Sequence, residues 1–205
     1  MIYQRIEKYQ LAAQKLHGMS GTLMDVGSRD RILSQYLPET VTYHSADITP
    51  GHDFQWNLEL PLLCSDNAFD FVVAFDVLEH VENIHQATAE LIRITRRRLF
   101  ITLPNMSNLA SRIRFLRTGF LAPKYALLPT HQGDRHRWLT TYPEIITFIA
   151  SIAVQERGCQ MSQVNLIYAN SRWEKLMYYL PLSPATRTHT VFFDISKNAN
   201  APPYH

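Results

Sequence analysis

The sequence has few of the residues that mark a secreted, membrane-spanning or strongly charged protein. Only two of its 205 residues are cysteine, and Cys64 and Cys159 have neither metal-ligand nor redox-motif spacing, which predicts reduced thiols. No apolar run approaches the ~20 residues that a bilayer-spanning helix needs, and the amphipathic N-terminus lacks the apolar core of a signal peptide. The formal net charge is only +2. These absences predict a cytoplasmic protein without a membrane partner.

Glycine is also scarce, with seven residues, and its scarcity matters most in one loop. The stretch TLMDVGSRDRILSQYLP, residues 22–38, begins as an apolar strand that leads into Asp25–Gly27, as in a nucleotide-binding loop. Arg29 and Ile32 stand where a G-x-G-x-x-G motif has its second and third glycines. A pyrophosphate needs those glycines for close backbone approach and for helix packing. The loop therefore disfavours a dinucleotide cofactor.

The residues that are present describe a globular α/β chain. Hydrophobic residues make up 46% of the sequence and the mean hydropathy is −0.17, which supplies enough apolar material for a sizeable core. Residues 21–103 alternate short apolar runs with segments of helical periodicity, which predicts a parallel sheet with helices on both faces. The predicted strands cover residues 21–26, 40–47, 53–58, 69–77 and 98–105, and the predicted helices cover residues 2–17, 30–37 and 83–97.

The second half of the chain has a less regular pattern. The predicted elements are a basic helix at 106–121, a long irregular segment at 122–139, a helix at 143–158, strands at 162–169 and 189–196, and a polar tail at 197–205. Thr141 and Glu144 form a capping box that begins the helix at 143–158. We predict a single domain over residues 1–196, in which 1–18 form an N-terminal helix and 105–140 a substrate-side insertion or lid.

Two residues at predicted strand ends have the positions of a nucleoside-binding site. In a doubly wound sheet, ligands lie beyond the carboxyl ends of the strands where the strand order reverses. Gly27 stands in the loop after the first strand, and a helix from Asp30 would direct its N–H groups at an anion. Asp47, twenty positions after Gly27, can accept hydrogen bonds from a ribose diol. NAD, FAD and S-adenosylmethionine all have this ribose, but the missing pyrophosphate glycines favour S-adenosylmethionine.

Three segments in this order, MDVGSRD, YHSADI and SDNAFDFVVAFDVLEHVEN, resemble the class I S-adenosylmethionine-dependent methyltransferases of the small-molecule type. The resemblance covers residues 20–105 and implies a Rossmann-like, doubly wound α/β fold. That fold has a seven-stranded, mostly parallel sheet whose last strand is antiparallel, and S-adenosylmethionine is its cofactor. The cofactor-binding residues that the resemblance implies are Asp25, Val26, Gly27, Ser28, Arg29, Asp47, Ile48, Asn57, Leu58, Asp76, Val77 and Leu78.

Histidines on the predicted acceptor side are the candidate catalytic residues. His80 follows the fourth predicted strand, and His136 lies in HQGDRHRW, residues 131–138, which we interpret as a lid or acceptor-binding loop. Either imidazole could act as a general base for a hydroxyl or carboxyl acceptor, and His131 is a further candidate. The alternatives are a helix-capping His80 and a plain polar surface loop. His131, Asp134 and His136 have metal-ligand side chains without a partner motif, so no metal site is predicted.

The predicted function is O- or N-methylation of a small molecule or of a sugar- or glycan-type acceptor. The arginine-rich middle of the chain would suit an anionic acceptor. Nucleic acid is disfavoured because Arg112, Arg114 and Arg117 do not share a helical face, and residues 96–98 are expected to end a helix. The alternative is a non-catalytic binding or scaffold protein with a degenerate glycine loop. A nicotinamide oxidoreductase is disfavoured by the missing phosphate-binding glycines.

Overall fold

A single seven-stranded sheet organises the chain, with the strand order β3-β2-β1-β4-β5-β7-β6. The computed structural model describes residues 6–121, 123–125, 127, 129–130, 135–155, 159–168 and 180–197. The strands are β1 Gly21–Val26, β2 Val41–Asp47, β3 Phe54–Gln55, β4 Phe69–Phe75, β5 Thr95–Pro104, β6 Cys159–Leu166 and β7 Thr190–Lys197. β7 is antiparallel to both of its neighbours, and the remaining pairs are parallel. The predicted seven-stranded, doubly wound α/β fold is confirmed.

Helices cover both faces of the sheet. The α-helices are α1 Glu7–Leu16, α2 Ile84–Ile94, α3 Leu109–Thr118, α4 Tyr142–Gln155 and α5 Pro184–Arg187, and 3-10 turns lie at Ile32–Gln35, Leu78–His80 and Pro123–Tyr125. α1 packs on one face through Ala12 and Leu16, whereas α2 and α4 contribute to the core on the other face. Among the described residues, no helix combines the length and the apolar character required to cross a membrane.

The helix predicted at residues 30–37 is wrong. The chain forms only a four-residue 3-10 turn there, Ile32–Gln35. Arg29 and Arg31 have left-handed backbone angles, with φ of 40° and 55°, and an α-helix of L-residues does not continue through that conformation. Leu33 from the turn is instead buried beside α1. The loop therefore does not present the helix N-terminus that the sequence predicted.

Three consecutive arginines also differ from the prediction, because residues 96–98 lie in β5 and do not end α2. The Arg98 guanidinium donates to both carboxylate oxygens of Asp194 on β7, and its Nη1 donates to the Lys15 carbonyl at 2.8 Å. Lys15 Nζ lies 2.8 Å from Asp194 Oδ2. Arg97 donates to the Ser20 carbonyl. These arginines thus tie the end of α1 to the sheet.

The second half of the chain follows the prediction in outline. Thr141 donates its N–H and its hydroxyl to Glu144 Oε2, so the capping box before α4 is present. α3 agrees with the predicted basic helix, and none of its residues is buried. β7 agrees with the predicted final strand, whereas β6 begins three residues before its predicted start. Residues 131–134 and 198–205, which include His131, Asp134 and most of the predicted tail, lie outside the described residues.

Candidate cofactor and acceptor site

The carboxyl ends of β1, β2 and β4 form the edge at which the sequence predicts a cofactor. β1 pairs with β2 on one side and with β4 on the other, so the strand order reverses at β1. A crevice that opens at such a reversal is the usual ligand site of this architecture. Asp25 and Gly27 lie at the end of β1, Asp47 ends β2, and Asp76 follows β4. The topology thus brings the principal predicted residues to one edge.

Gly27 is required by a close packing contact as well as by its turn. Its φ is 70°, and a Cβ atom built on it would lie 2.3 Å from Val77 Cγ2, well inside any real Cβ contact. The loops after β1 and β4 therefore touch at this point. The sequence explained Gly27 by ligand approach, whereas the structure shows that the Val77 side chain already needs the glycine.

Asp47 is an ionised carboxylate held by its own loop. Thr49 donates its N–H and hydroxyl to Oδ1 at 2.9 and 2.8 Å, and the Arg29 N–H lies 3.2 Å from Oδ2. Partial burial opposes ionisation, but the hydrogen bonds from Thr49 and Arg29 outweigh it and lower the pKa of Asp47. The carboxylate is thereby fixed in position at the end of β2, and part of its surface stays exposed.

The other predicted cofactor residues differ in burial. Val26, Leu58 and Leu78 belong to the core, and Ser28 is buried with its hydroxyl 2.9 Å from His52 Nδ1. Ile48 is 62% exposed, which leaves an apolar surface beside Asp47. Asn57 is exposed and its side-chain oxygen accepts from the Glu59 N–H.

Neither arginine of the loop lies in the core. Arg29 and Arg31 are both exposed, and the Arg31 guanidinium donates to the Gly51 carbonyl in the loop between β2 and β3. Arg31 therefore extends toward the loop between β2 and β3. The Arg31 carbonyl accepts a hydrogen bond from the Ser34 N–H in the 3-10 turn, and the Gly51 carbonyl accepts a hydrogen bond from the Arg31 guanidinium.

Asp25 is a buried acid at the end of β1. Burial raises its pKa to about 7, although the Tyr43 hydroxyl, which donates to Oδ2 at 2.8 Å, and the nearby Lys8 both favour the ionised form. Asp47 adds a nearby negative charge that raises the pKa further. Near neutral pH, Asp25 is consequently poised between the neutral and ionised forms.

This pKa predicts a specific pH dependence of stability. Between the ordinary aspartate pKa of about 4 and about pH 7, native Asp25 keeps a proton that the unfolded chain has released, so its contribution to stability falls as the pH rises. We expect Asp25→Asn, which cannot ionise, to gain about 1 kcal/mol per pH unit over wild type across this window. Urea unfolding of both proteins at several pH values measures the difference. A difference that stays constant with pH contradicts the assignment.

Asp76 lies in a strained turn directly after β4. Its φ is 55°, a left-handed conformation that non-glycine residues adopt mainly where surrounding contacts enforce it. Thr102 donates its hydroxyl to Oδ1 at 2.8 Å, and Lys8 Nζ lies 2.5 Å from Oδ2. Lys8 is almost completely buried on α1, where it also lies near the rings of Tyr9 and Phe75. Sequence reasoning missed Lys8, because a lysine on an amphipathic helix is ordinarily at the surface.

A second polar group extends from β4 toward the acceptor side. Glu79 in the 3-10 turn after β4 is buried, and its Oε1 lies 3.8 Å from His136 Nε2. The rings of His80 and His136 meet edge to face with centroids 4.6 Å apart. Burial and the nearby Asp76 raise the pKa of Glu79 to about 8. The structure thus brings both predicted catalytic histidines together around Glu79, which the sequence predicts only as lining the cofactor pocket.

The segment after residue 134 is anchored on the same turn. The Arg137 N–H donates to the Glu79 carbonyl at 2.8 Å, and Trp138 Nε1 donates to the Val81 carbonyl at 2.8 Å. Tyr125 donates its hydroxyl to the Trp138 carbonyl at 2.7 Å. These contacts hold residues 135–138 against the end of β4, next to the predicted acceptor side.

Comparison with known proteins gives both a family and a fold. A family model of a methyltransferase domain matches residues 1–141. The small RNA methyltransferase HEN1 is a structural match with a TM-score of 0.62 at 12% identity, covering 100% of this chain and 27% of that chain. YcgJ from Bacillus subtilis matches with a TM-score of 0.58 at 11% identity, and the match covers 94% of this chain and 99% of that chain.

Magnesium protoporphyrin IX methyltransferase from Synechocystis PCC 6803, solved with SAH bound, matches with a TM-score of 0.57 at 13% identity, covering 94% of this chain and 83% of that chain. At such low identities these likenesses show the fold alone. No curated protein matches the sequence.

Proposed function

The chain belongs to the methyltransferase domain family, and from that premise we propose that it methylates an oxygen or nitrogen atom of a small or glycan-type acceptor. Its family is that of the S-adenosylmethionine-dependent enzymes, and its cofactor is S-adenosylmethionine. The observation that carries the proposal is the position of the Glu79, His80 and His136 group beside the cofactor edge. We assign residues 1–196 to one domain, with the acceptor covered by residues 105–140.

The cofactor would lie across the ends of β1, β2 and β4. The methionine part is placed beside the loop from Asp25 to Arg29, where Lys8 supplies a cation near Asp25. The ribose is placed on the fixed carboxylate of Asp47, and one adenine face against the exposed Ile48. Asn57 and Leu58 border the adenine edge, and Asp76, Val77 and Leu78 flank the sulfonium.

Methyl transfer then needs alignment more than bond-breaking assistance. When bound, S-adenosylmethionine would supply an electrophilic methyl carbon: an acceptor lone pair would bond to this carbon, and the electron pair of the broken carbon–sulfur bond would stay on sulfur. The acceptor's proton leaves to a base or to water. The protein must hold nucleophile, carbon and sulfur in line and exclude water, which is where most of the rate enhancement of such a reaction arises.

The acceptor is placed over the end of β4, against His80 and His136. A polar group of this kind suits a hydroxyl acceptor, because an imidazole nitrogen can accept a hydrogen bond from the hydroxyl group and promote loss of its proton. Helix α3, which follows β5 along the chain, contributes three arginines and no acidic residue, and its side chains are largely exposed. This positive surface favours an acceptor that carries negative charge.

Asp47→Ala tests the cofactor assignment. We expect S-adenosylhomocysteine to bind about 5- to 150-fold more weakly, which corresponds to the roughly 1–3 kcal/mol that orphaned hydrogen-bonding groups cost. Isothermal titration at fixed pH measures the change. Asp53→Ala is the matched control, because Asp53 likewise accepts backbone and hydroxyl hydrogen bonds, from Ser45, but lies outside the assigned site.

Equal binding by Asp47→Ala and wild type would show that the ribose lies elsewhere. The alternative function, a non-catalytic scaffold, predicts instead that wild type fails to bind at saturating S-adenosylmethionine or S-adenosylhomocysteine. The left-handed Arg29 and Arg31 are the features that favour this alternative, because they replace the helix N-terminus expected after β1.

A further inference from the structure

Three metal-ligand side chains converge at the end of β4. One ligand atom each from Glu79, His80 and His136 lies within 4.8 Å of the other two. The 3.8 Å between Glu79 Oε1 and His136 Nε2 is too long for a direct hydrogen bond. Two imidazoles and one carboxylate are a donor set that borderline divalent metals take, whereas Mg²⁺ and Ca²⁺ prefer oxygen ligands alone.

One oxygen of the Glu79 carboxyl group lacks the partner that a buried acid normally has. Glu79 is 1% exposed, and within the described part of the chain its Oε2 atom is buried without a hydrogen-bond partner. Buried carboxylates in proteins are normally paired, fully hydrogen-bonded or bound to a metal. The other charged groups near Glu79 are Asp76, Lys124 and Lys8. A cation bound here would satisfy the Oε2 atom and favour the ionised form of Glu79.

Both histidines are oriented by hydrogen bonds at the ring nitrogen Nδ1. His80 Nδ1 lies 2.9 Å from the Arg135 carbonyl, which can only accept, so this nitrogen donates. His136 Nδ1 lies 2.9 Å from the Tyr125 hydroxyl, whose hydrogen goes to the Trp138 carbonyl, so Nδ1 donates here as well. In each ring the lone pair is therefore on Nε2. In metal-binding histidines, the ring nitrogen that does not bind the metal usually donates its N–H to a nearby acceptor, and this hydrogen bond fixes the ring in position.

We propose that Glu79, His80 and His136 form a binding site for a borderline divalent cation such as Co²⁺ or Zn²⁺. Ligand–metal distances of about 2.0–2.2 Å require the three side chains to close by about 1 Å. Three protein ligands leave coordination positions open, and an acceptor oxygen can occupy one of them. This last step rests on the proposed function and narrows the acceptor to one with a metal-binding oxygen. The proposal replaces the sequence-based expectation of no metal site.

Direct titration with Co²⁺ tests the site without an acceptor. The full chain without a histidine tag is stripped with a chelator, dialysed and titrated, with binding followed by calorimetry and by visible absorption of the bound ion. We expect saturable one-to-one binding that becomes at least about tenfold weaker in Glu79→Gln and in His136→Gln. The matched control His17→Gln removes an exposed histidine at the end of α1 and should bind as wild type does.

Absence of saturable Co²⁺ binding to wild type, or equal binding by wild type and folded Glu79→Gln and His136→Gln, overturns the proposal. His80→Gln replaces any variant whose thermal unfolding shows that it has not folded. Calorimetry with S-adenosylhomocysteine on the same samples separates the two proposals. If S-adenosylhomocysteine binds and Co²⁺ does not, the methyltransferase assignment stands and the cation site is rejected. If Co²⁺ binds and S-adenosylhomocysteine does not, the cation site is supported and the cofactor site is rejected.

Discussion

Asp194→Ala is expected to lower the free energy of unfolding by about 3–5 kcal/mol, the usual cost of removing one partner from a buried ion pair. The Asp194 side chain is 5% exposed and its carboxylate meets both Arg98 and Lys15. Without it, the Arg98 guanidinium stays largely buried on β5 with its charge unpaired. Urea unfolding monitored by circular dichroism gives the change in free energy.

Asp66→Ala is the matched control for this substitution. Asp66 also pairs with an arginine, Arg93, at 2.8 Å, but its side chain is 71% exposed. Exposed ion pairs contribute only about 0–1 kcal/mol, so the control should stay close to wild type. If Asp194→Ala were no more destabilising than Asp66→Ala, the ion pairs that join α1, β5 and β7 would not stabilise the fold.

Gly27→Ala is expected to cost about 2–5 kcal/mol, since a left-handed backbone destabilises by about 1–2 kcal/mol and an overpacked contact by about 1–3 kcal/mol. The new Cβ atom would lie 2.3 Å from Val77 Cγ2, so the loop after β1 must move away from the loop after β4. Because Gly27 and Val77 both border the assigned cofactor site, affinity for S-adenosylhomocysteine should fall as well. Urea unfolding and isothermal titration measure the two effects.

Two further variants separate the backbone effect from the steric effect. Gly18 has a similar φ of 75° with nothing within 4 Å of an added Cβ, so Gly18→Ala measures the backbone cost alone. Val77→Ala removes the clashing methyl group, and the double variant Gly27→Ala/Val77→Ala should recover part of the stability that Gly27→Ala loses. If Gly27→Ala cost no more than Gly18→Ala, the contact with Val77 would not explain the glycine.

The sequence predicted the sheet well because its central strands are continuous apolar runs. β4, with FDFVVAF, is buried on both sides, and such a run between turn residues has few alternative structures. The order of MDVGSRD, YHSADI and DVLEHV along the chain was enough to predict the methyltransferase family, which the family match confirms. It also predicted S-adenosylmethionine as the cofactor and placed β1, β2 and β4 together.

What the sequence could not predict depends on partners that are distant along the chain. Nothing near Lys8 reveals that it pairs with Asp76, and nothing near Arg98 reveals Asp194. The helical periodicity of residues 30–37 was overridden by the left-handed backbone before Ile32, where α1 occupies the space beside the 3-10 turn. Long-range packing decided each of these features.

The candidate site likewise combines features that the sequence predicted with contacts that it did not predict. His80 and the segment around His136 were each recognised as acceptor-side features, but their contact was not predicted. Glu79 was interpreted as part of the cofactor pocket, and only the structure reveals that it is buried between two histidines. The assignments of individual site residues remain predictions that the titrations above can test.

The ties from Arg98 and Lys15 to Asp194 have a consequence for how the polypeptide can be divided. The segment that matches the family model stops at residue 141, yet β7, which carries Asp194 and Phe192, lies far beyond it. Phe192 fills the same side of the sheet as Leu16 of α1. A shortened protein that ended at residue 141 would expose the face of the sheet beneath α1 to water. Arg98 would also lose its ion-pair partner, Asp194. Such a fragment should be an unfolded, aggregation-prone species, because it would lack the part of the hydrophobic core that β7 shares with α1.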